Sequence, residues 1–324
     1  MTGRRLALCV LCSRPWQRLL AGCDSVVLRA LFWWLRRSRP LEPMELPSNV
    51  RQRVAVLAPH ADDEVIGPGG TLLRHVKHGH VTQVIYLTDG RRSRRAGLLE
   101  SQLVRARMEE AQSVQGFCGF SGVQFWSERD GALAENTYTV DHLRGWLAEY
   151  APQVLYVPYY LDAHPDHRAA SRILARAADG LPLSCEVRAY EGLYPLTHLV
   201  ASHYSDISEE VRRKLQLLAI YRSQRVPSEQ VLRWNRLLGC WAGGRTLAAE
   251  VFLVAPLAEY CRRVQVMSQA DGVSCSVELW AISALFGAAP AYLRNMRSRA
   301  CLSDAHGQAA CSWPVVPSST IRSG

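Results

Sequence analysis

Several features are scarce in this sequence, and each scarcity excludes a class of protein. No stretch approaches the ~18–20 consecutive apolar residues that a membrane-spanning helix needs. Cys9 and Cys12 form the only C-x-x-C pair, whereas a zinc ribbon needs a second pair. Internal repeats and low-complexity tracts are absent, and Lys77 and Lys214 are the only lysines among 38 basic residues. Because 48% of the 324 residues are apolar, the chain predicts a globular protein with a substantial core.

The formal net charge of +9 is concentrated at the two ends of the chain. Residues 1–40 carry a net charge of +7 and residues 288–324 carry +3, which leaves about −1 for the residues between them. A nucleic-acid-binding protein usually carries its basic stripe on the folded domain, so we expect no nucleic-acid partner. Basic segments that include Trp-bearing apolar stretches better suit an anionic membrane surface. The sequence predicts either peripheral membrane contact through residues 1–40 or an N-terminal helix that packs on the domain.

The N-terminal segment imitates a signal peptide without having its continuous apolar region. Arg4 and Arg5 precede an apolar run, but polar residues between positions 14 and 18 interrupt that run. The ten cysteines are dispersed along the chain, which favours a reducing compartment. We therefore expect a cytoplasmic protein, possible attachment at the inner face of the membrane, and no export.

Apolar runs and amphipathic segments alternate after residue 50. The runs at residues 54–58, 81–87 and 154–157 are continuous, as in strands that are buried on both faces. Helical patterns lie between them, which predicts an α/β fold: a Rossmann-like, mostly parallel sheet with helices on both faces. We expect a basic, apolar extension and linker over 1–50, a main domain over 51–255, and a C-terminal extension over 256–324 with a disordered end.

Three polar clusters follow predicted strands. They are Pro-His-Ala-Asp-Asp-Glu at residues 59–64, Thr-Asp-Gly at residues 88–90 and His-Pro-Asp-His at residues 164–167. Ligands of such folds bind beyond the carboxyl ends of the parallel strands. We therefore expect the three clusters to meet in one crevice.

The first and third clusters contain metal-ligating side chains at helical spacing. His60 and Asp63 are three residues apart, as are His164 and His167, so each pair can lie on one face. Two imidazoles and one carboxylate, with a fourth position open, are typical of catalytic zinc. Asp62 would point elsewhere and stay free to act as a base. Each cluster alone is more often a helix cap or a solvated turn, but both after parallel strands indicate a metal-dependent enzyme.

With these motifs the sequence resembles the PIG-L/LmbE-like N-acetylglucosaminyl deacetylase family, whose signature contains P-H-x-D-D-E and H-P-D-H. The resemblance extends from about residue 52 to Phe252 and includes further motifs in the same order. These are T-x-G at 88–90, R-x-x-E at 107–110, D-I-S at 206–208, Lys214, Y-x-S-Q at 221–224 and E-x-F at 250–252.

The resemblance implies a zinc-dependent hydrolase. Its substrate would be an N-acetylglucosamine-type sugar, such as a glycan, lipopolysaccharide or glycolipid precursor, from which it removes the N-acetyl group. The implied Zn²⁺ ligands are His60, Asp63 and His167. Asp62 would be the general base that activates water. His164, oriented by Asp166, would stabilise the oxyanion or protonate the leaving amine.

Some positions depart from the family pattern. Some relatives place a Tyr, directed at the oxyanion, where this chain has Asp162, so that role would fall to Tyr159 or Tyr160 or be absent. Many relatives follow T-x-G with Glu, whereas this chain has Arg91 and Arg92. This pair would contact a phosphate on the substrate or belong to a solvated loop.

Two alternatives use the same sheet. A non-catalytic metal- or sugar-binding module is disfavoured because Asp62 and His164 stand beside the implied ligands. Dinucleotide binding is disfavoured because the Gly-Pro-Gly-Gly run at 67–70 lies inside a predicted helix, not in the turn that precedes it. Helix packing explains that run better. We expect the histidines at 75, 78 and 80, at the far end of this helix, to lie on the surface.

Overall fold

The computed structural model describes residues 32–34, 36–92, 99–162, 164–192, 201–224 and 226–269. Within these ranges eight strands form one sheet, and helices cover both of its faces. The strands are β1 Glu42–Pro43, β2 Arg53–Ala58, β3 Val81–Thr88, β4 Gly122–Glu128, β5 Val154–Pro158, β6 Glu186–Tyr190, β7 His203–Asp206 and β8 Ala249–Pro256. The helices are α1 Asp63–Ile66, α2 Gly69–Lys77, α3 Glu100–Cys118, α4 Thr137–Tyr150, α5 Pro165–Ala177, α6 Val211–Ile220, α7 Ser228–Ala242 and α8 Leu257–Gln269.

The order of the strands across the sheet is β1-β7-β8-β6-β5-β2-β3-β4. All neighbouring strands are parallel except β8, which runs antiparallel to both β6 and β7. The chain therefore moves outward from β2 to β4 and then crosses to the other side of β2 at β5. The predicted α/β fold with a mostly parallel sheet is confirmed.

Strand β2 shows why these runs form the centre of the sheet. Val54 and Val56 contribute to the core on one face, and Ala55 and Leu57 contribute to the core on the other face. All four side chains are fully buried. Burial on both faces explains why apolar residues occupy successive positions of this strand. Burial on both faces holds β2 between β3 and β5, and the loop that follows it is the first polar cluster.

The predicted helix that contains the Gly-Pro-Gly-Gly run is in fact two helices, α1 and α2. The break lies at Pro68, which has no backbone N–H to continue the helix. A Cβ atom on Gly70 would lie 2.7 Å from Cγ2 of Ile207, so the backbone of α2 packs closely against the segment before α6. Close packing therefore explains this glycine, as expected.

A buried ion pair stabilises the junction between α1 and α2. Nζ of Lys214 donates to the backbone oxygen of Ile66 at 2.9 Å and to Oε1 of Glu250 at 2.7 Å. The Glu250 carboxylate also accepts the backbone N–H groups of Gly70 and Thr71, at 2.7 and 2.8 Å, at the start of α2. A carboxylate in this position satisfies N–H groups that have no partner within the helix. Lys214 and Glu250, which belong to two of the motifs of the family resemblance, thus hold α1 and α2 in place after β2.

The described residues before β1 pack on the domain through Phe32 and expose neighbouring side chains. Residues 32–34 and 36–38 are helical. The ring of Phe32 is buried, 5.6 Å from the ring of Trp234 and 5.9 Å from that of Trp241 in α7. Trp33 and Trp34 are 57% and 56% exposed. The expectation for residues 1–31 lies outside the described residues.

Helix α8 lies within the predicted C-terminal extension and packs into the main core. Tyr260 and Val264 are buried in the same cluster as the apolar side chains of α4 and α5. Residues 270–324, including their Trp-bearing stretch and the expected disordered end, lie outside the described residues. Across the described ranges, no helix combines the length and the hydropathy that would let it cross a bilayer.

Candidate metal centre and active site

The first and third polar clusters meet at the carboxyl edge of the sheet. Strands β3 and β5 flank β2 on opposite sides, so the loops after β2 and β5 enclose a crevice at the point where the strand order reverses. His60 follows β2, and His164 and His167 stand at the start of α5, after β5. One ring nitrogen from each of the three lies within 4.8 Å of the others.

Asp63 lies beside both of the histidines that complete the implied ligand set. Oδ2 of Asp63 lies 3.2 Å from Nδ1 of His60 and 3.2 Å from Nε2 of His167. Atoms bound at roughly 2.0–2.1 Å to one tetrahedral zinc ion stand about 3.3 Å apart. Each of the two distances is therefore close to that between two ligands of one zinc ion.

The outer nitrogen of each imidazole faces a carboxylate. Nε2 of His60 lies 3.0 Å from Oδ2 of Asp166 and 3.3 Å from Oδ1 of Asp130. Nδ1 of His167 lies 3.1 Å from Oδ2 of Asp162. A carboxylate in this position holds a proton on the outer nitrogen and leaves the lone pair of the inner nitrogen for a metal. For His60 this arrangement leaves Nδ1, the nitrogen beside Asp63, available to a cation.

The pKa values show that this centre favours positive charge. Burial opposes the charged form of His167, yet the carboxylates of Asp63 and Asp162 raise its pKa to about 10. Burial likewise opposes charge on His60, whose pKa is nonetheless raised by its carboxylate neighbours. Burial would raise the pKa of Asp63, but His167 and His60 lower it well below its usual range. Protons or a metal cation can supply this positive charge, and they compete for the same nitrogen atoms.

Asp62 adopts a backbone conformation that L-residues rarely adopt. Its φ is 137° and its ψ is −23°, and its backbone N–H donates to Oε2 of Glu64 at 3.1 Å. Strained residues of this kind concentrate at functional sites. Burial, followed by the charge of adjacent Asp63, raises the pKa of Asp62 well above its usual value. Within the described part of the chain, no hydrogen bond joins its carboxylate to another residue.

His164 is the N-cap of helix α5. Its Nδ1 accepts the backbone N–H of Asp166 at 3.2 Å, and its own backbone N–H donates to Oδ1 of Asp162 at 2.7 Å. The accepted hydrogen bond places the ring proton of the neutral imidazole on Nε2. Burial, followed by the charges of His60 and His167, lowers the pKa of His164 to about 4.

Asp166, which the family resemblance implied to orient His164, contacts this ring through its backbone N–H; in the described ranges its carboxylate forms no hydrogen bond with the ring. The carboxylate contacts His60 instead and accepts the backbone N–H groups of Gly131 at 2.7 Å and Leu133 at 3.1 Å. The reason is that the His164 ring folds back over the first turn of α5 to cap it. The backbone of Asp166 therefore contacts His164, while its side chain contacts His60.

Asp130 belongs to the site, and the sequence analysis missed it. Besides its contact with His60, its Oδ2 lies 3.7 Å from NH1 of Arg107, and its backbone N–H donates to Asp89 at 3.3 Å. Asp130 follows β4, which is only half-buried and has no continuous apolar run. The one available signal was its place directly after a strand of the same parallel sheet.

The three residues predicted to contact substrate have partners within the protein. Nε of Arg91 donates to Oδ2 of Asp89 at 2.6 Å, and the backbone N–H of Arg92 donates to Oδ2 of Asp130 at 3.0 Å. Tyr160 packs against two further tyrosine rings. These contacts order the loops around the crevice, and substrate contact by the three residues stays a prediction.

The residues of this site lie within a region that matches a known family. The family described as PIG-L: GlcNAc-PI de-N-acetylase matches residues 55–178. Diacetylchitobiose deacetylase of Thermococcus kodakarensis is 26% identical over 195 residues, which are 55% of this chain and 72% of that protein. The structure of N,N'-diacetylchitobiose deacetylase from Pyrococcus horikoshii superposes with a TM-score of 0.58 at 21% identity, over 66% of this chain and 87% of that one. GalB, the 4-carboxy-2-hydroxymuconate hydratase of Pseudomonas putida, superposes with a TM-score of 0.56 at 21% identity, over 63% and 96%.

The fold, the His and Asp cluster and the family match together define an enzyme of the N-deacetylase class. Residues 55–178 match the PIG-L family, whose deacetylases generally depend on a metal ion, and the relative from Thermococcus kodakarensis is itself named a deacetylase. GalB has the same fold and is a hydratase, so the fold by itself does not select the reaction.

Proposed function

We propose that this chain is a zinc-dependent deacetylase that converts an N-acetylglucosamine-type sugar and water into the free amino sugar and acetate. The observation that supports this most is the approach of Oδ2 of Asp63 to both His60 and His167, at 3.2 Å each, with Asp62 adjacent in the chain. Two imidazoles and one carboxylate leave a fourth position for water and substrate. A cation held by these three residues would polarise the acetyl carbonyl and lower the pKa of water beside it.

The neighbouring side chains can carry out the proton transfers. Asp62 takes a proton from water as the water oxygen bonds to the acetyl carbon. Nε2–H of His164 donates a hydrogen bond to the carbonyl oxygen as negative charge develops there. The C–N bond then breaks, and the proton held by Asp62 moves to the amine nitrogen, so acetate and a free amine leave. In this assignment His164 acts as a neutral donor.

The reaction can be tested by measuring acetate and free amine together. Full-length, zinc-loaded protein would be incubated with a free, a nucleotide-linked, a lipid-linked and an oligosaccharide form of N-acetylglucosamine. We expect turnover of at least one of these and its loss in Asp62→Asn. Stoichiometric zinc with no turnover of any of them would favour the alternative, a non-catalytic metal- or sugar-binding module on the same fold.

The exposed face of the N-terminal helix supports peripheral attachment to the inner face of the membrane. Trp33 and Trp34 are more than half exposed, at 57% and 56%, and Arg36 and Arg37 are exposed beside them. The guanidinium of Arg37 lies 3.6 Å from the centre of the Trp33 ring. Trp and Arg side chains favour the headgroup region of an anionic bilayer. An enzyme held there would meet lipid-linked or membrane-assembled glycans, such as a lipopolysaccharide precursor.

Membrane attachment can be tested without unfolding the N-terminal segment. A deletion of residues 1–40 would remove Phe32 from its contacts with α7, so a Trp33→Ser, Trp34→Ser double variant is the better choice. At low salt the full-length protein should sediment with vesicles that contain phosphatidylglycerol, and the double variant should not. Both should deacetylate a small soluble sugar equally. A full-length protein that stays in the supernatant would contradict membrane attachment.

A further inference from the structure

A buried network of hydrogen bonds lies behind the proposed base and takes no part in the proposed reaction. It consists of Glu64, Tyr221 and Tyr86, all of which are buried. Oε1 of Glu64 accepts a hydrogen bond from the Tyr221 hydroxyl, which lies 3.3 Å from the hydroxyl of Tyr86. Oε2 of Glu64 accepts the backbone N–H of Asp62 at 3.1 Å. The network therefore connects strand β3 and the segment after α6 to the backbone of Asp62.

Burying the Glu64 carboxylate costs free energy. A buried carboxylate needs hydrogen-bond donors or a cation to offset the loss of water. Across the described ranges, Glu64 forms no ion pair, and its two carboxylate oxygens are satisfied by the Asp62 N–H and the Tyr221 hydroxyl. Burial raises its pKa to about 7. An apolar residue of similar size would avoid this penalty, so core stability does not account for Glu64.

The conformation of Asp62 indicates the role of this hydrogen-bond network. With φ at 137°, the residue needs contacts on both of its peptide groups to stay in place. Its carbonyl oxygen accepts the N–H groups of Val65 and Ile66 at 3.0 and 2.8 Å, which ties it to α1. Its N–H is held by Glu64. Without Glu64, only the carbonyl side of the residue would be fixed.

We propose that Tyr221 and Glu64 are positioning residues that hold the backbone of Asp62 and thereby the direction of its carboxylate. The proposal rests on the proposed function, in which Asp62 is the base. Tyr221 fixes the Glu64 carboxylate, and Glu64 fixes the Asp62 N–H. Neither residue contacts the substrate or exchanges a proton with it.

The first test removes one hydroxyl. Tyr221→Phe should lower kcat at least about 10-fold, since small misplacements of a reacting group cost up to ~10²-fold, while KM and bound zinc stay unchanged. Tyr260→Phe is the matched control: Tyr260 is also completely buried, and its hydroxyl donates to the backbone oxygen of Pro158 at 3.2 Å, away from Asp62. It should lower thermal stability similarly and leave kcat unchanged.

The second test asks whether Tyr221 acts through Asp62. Adding Tyr221→Phe to Asp62→Asn should lower kcat no further, because the group that it positions has already been lost. If Tyr221→Phe does not fold, Glu64→Gln replaces it in this double-mutant cycle. The Gln side chain has one carbonyl oxygen, so it cannot accept from both the Asp62 N–H and the Tyr221 hydroxyl. The same loss of kcat in both backgrounds, or an unchanged kcat in the single variant, would overturn the proposal.

A third measurement does not depend on activity. Hydrogen exchange at the Asp62 amide, followed by NMR, should be at least about 10-fold faster in Tyr221→Phe than in the wild type and unchanged in Tyr260→Phe. This outcome together with an inactive wild type would mean that the proposed function fails while the positioning holds. Unchanged exchange at the Asp62 amide, with an active wild type, would contradict the positioning alone.

Discussion

Gly192 and His167 are in close contact although different strands place them. A Cβ atom on Gly192 would lie 2.9 Å from Cε1 of the His167 ring and 3.5 Å from Oδ2 of Asp162. The first distance is shorter than a normal van der Waals contact between carbon atoms. The backbone after β6 therefore passes directly beside the imidazole and the carboxylate that orients it.

Gly192→Ala should weaken zinc binding because the added methyl group displaces the His167 ring from its carboxylate. Loss of such a partner typically costs about 10–100-fold in metal affinity. Competition with a zinc chelator measures the change. Gly145→Ala in helix α4 is the control, since a Cβ atom there would have no neighbour within 4 Å. Equal affinities in the two variants would mean that the His167 ring can shift without loss of the metal.

Purified protein should contain about one zinc ion per chain, and a chelator should abolish activity that added zinc then restores. His60→Ala, Asp63→Ala and His167→Ala should each lose the metal, as measured by elemental analysis. His203→Ala, at the start of β7 far along the sheet, should retain it. Full occupancy in any of the three ligand variants would remove that residue from the ligand set.

Asp62→Asn should retain zinc and lose about 10²–10⁴-fold in kcat, because the amide cannot accept the proton of the attacking water. The substitution keeps the size of the side chain, so folding should not change. Steady-state kinetics and zinc content should be measured on the same preparation. Wild-type turnover in this variant would assign the base to another group.

His164→Asn separates two roles of this residue. Asn is a preferred N-cap, so it should keep the start of α5 intact, whereas it lacks the Nε2–H donor. We expect kcat to fall about 10²–10³-fold with little change in KM, as when an oxyanion donor is lost. His164→Ala should lose thermal stability as well. If only the Ala variant loses activity, the role of His164 is to cap the helix.

The two lysines of the chain provide a matched pair for stability. Lys214 is fully buried against Glu250, whereas Lys77 is 66% exposed and pairs with Glu209 at the surface. Lys214→Met leaves the Glu250 carboxylate buried without its partner and should cost about 3–5 kcal/mol of unfolding free energy. Lys77→Met should leave it nearly unchanged, because exposed pairs contribute little. Urea denaturation measures both, and equal effects would contradict this account.

The histidines near the end of α2 show where local patterns stop being informative. His75 and His80 were expected on the surface, and this was wrong: both are buried, and only His78 is partly exposed. Nδ1 of His75 lies 2.7 Å from Nδ1 of His80, and its Nε2 lies 2.9 Å from the hydroxyl of Tyr156 in β5. Burial lowers the pKa of His75 well below its usual value. Tyr156 is far away in the sequence, so the spacing within α2 cannot reveal this contact.

The strands and the candidate ligands could be predicted from the sequence because their signals are local. A strand buried on both faces must be apolar at every position, and a pair of ligands three residues apart shares one face of a turn. Their convergence on one edge also follows, since parallel strands present their carboxyl ends together. For these reasons the sheet, the crevice and the residues of the two motifs could be identified from the sequence, whereas the choice of His60, Asp63 and His167 as ligands rested on the family resemblance.

The partners of those residues were decided only by the tertiary structure. Asp130 approaches Nε2 of His60 from the loop after β4, and Asp166 approaches the same nitrogen from the first turn of α5. Tyr221 reaches Glu64 from the segment after α6. Contacts of about 3 Å depend on strand order and on the path of each loop, which no local spacing encodes. The sequence by itself determined which side chains are available for chemistry, and the packing of the sheet and its loops decided which carboxylate faces which nitrogen.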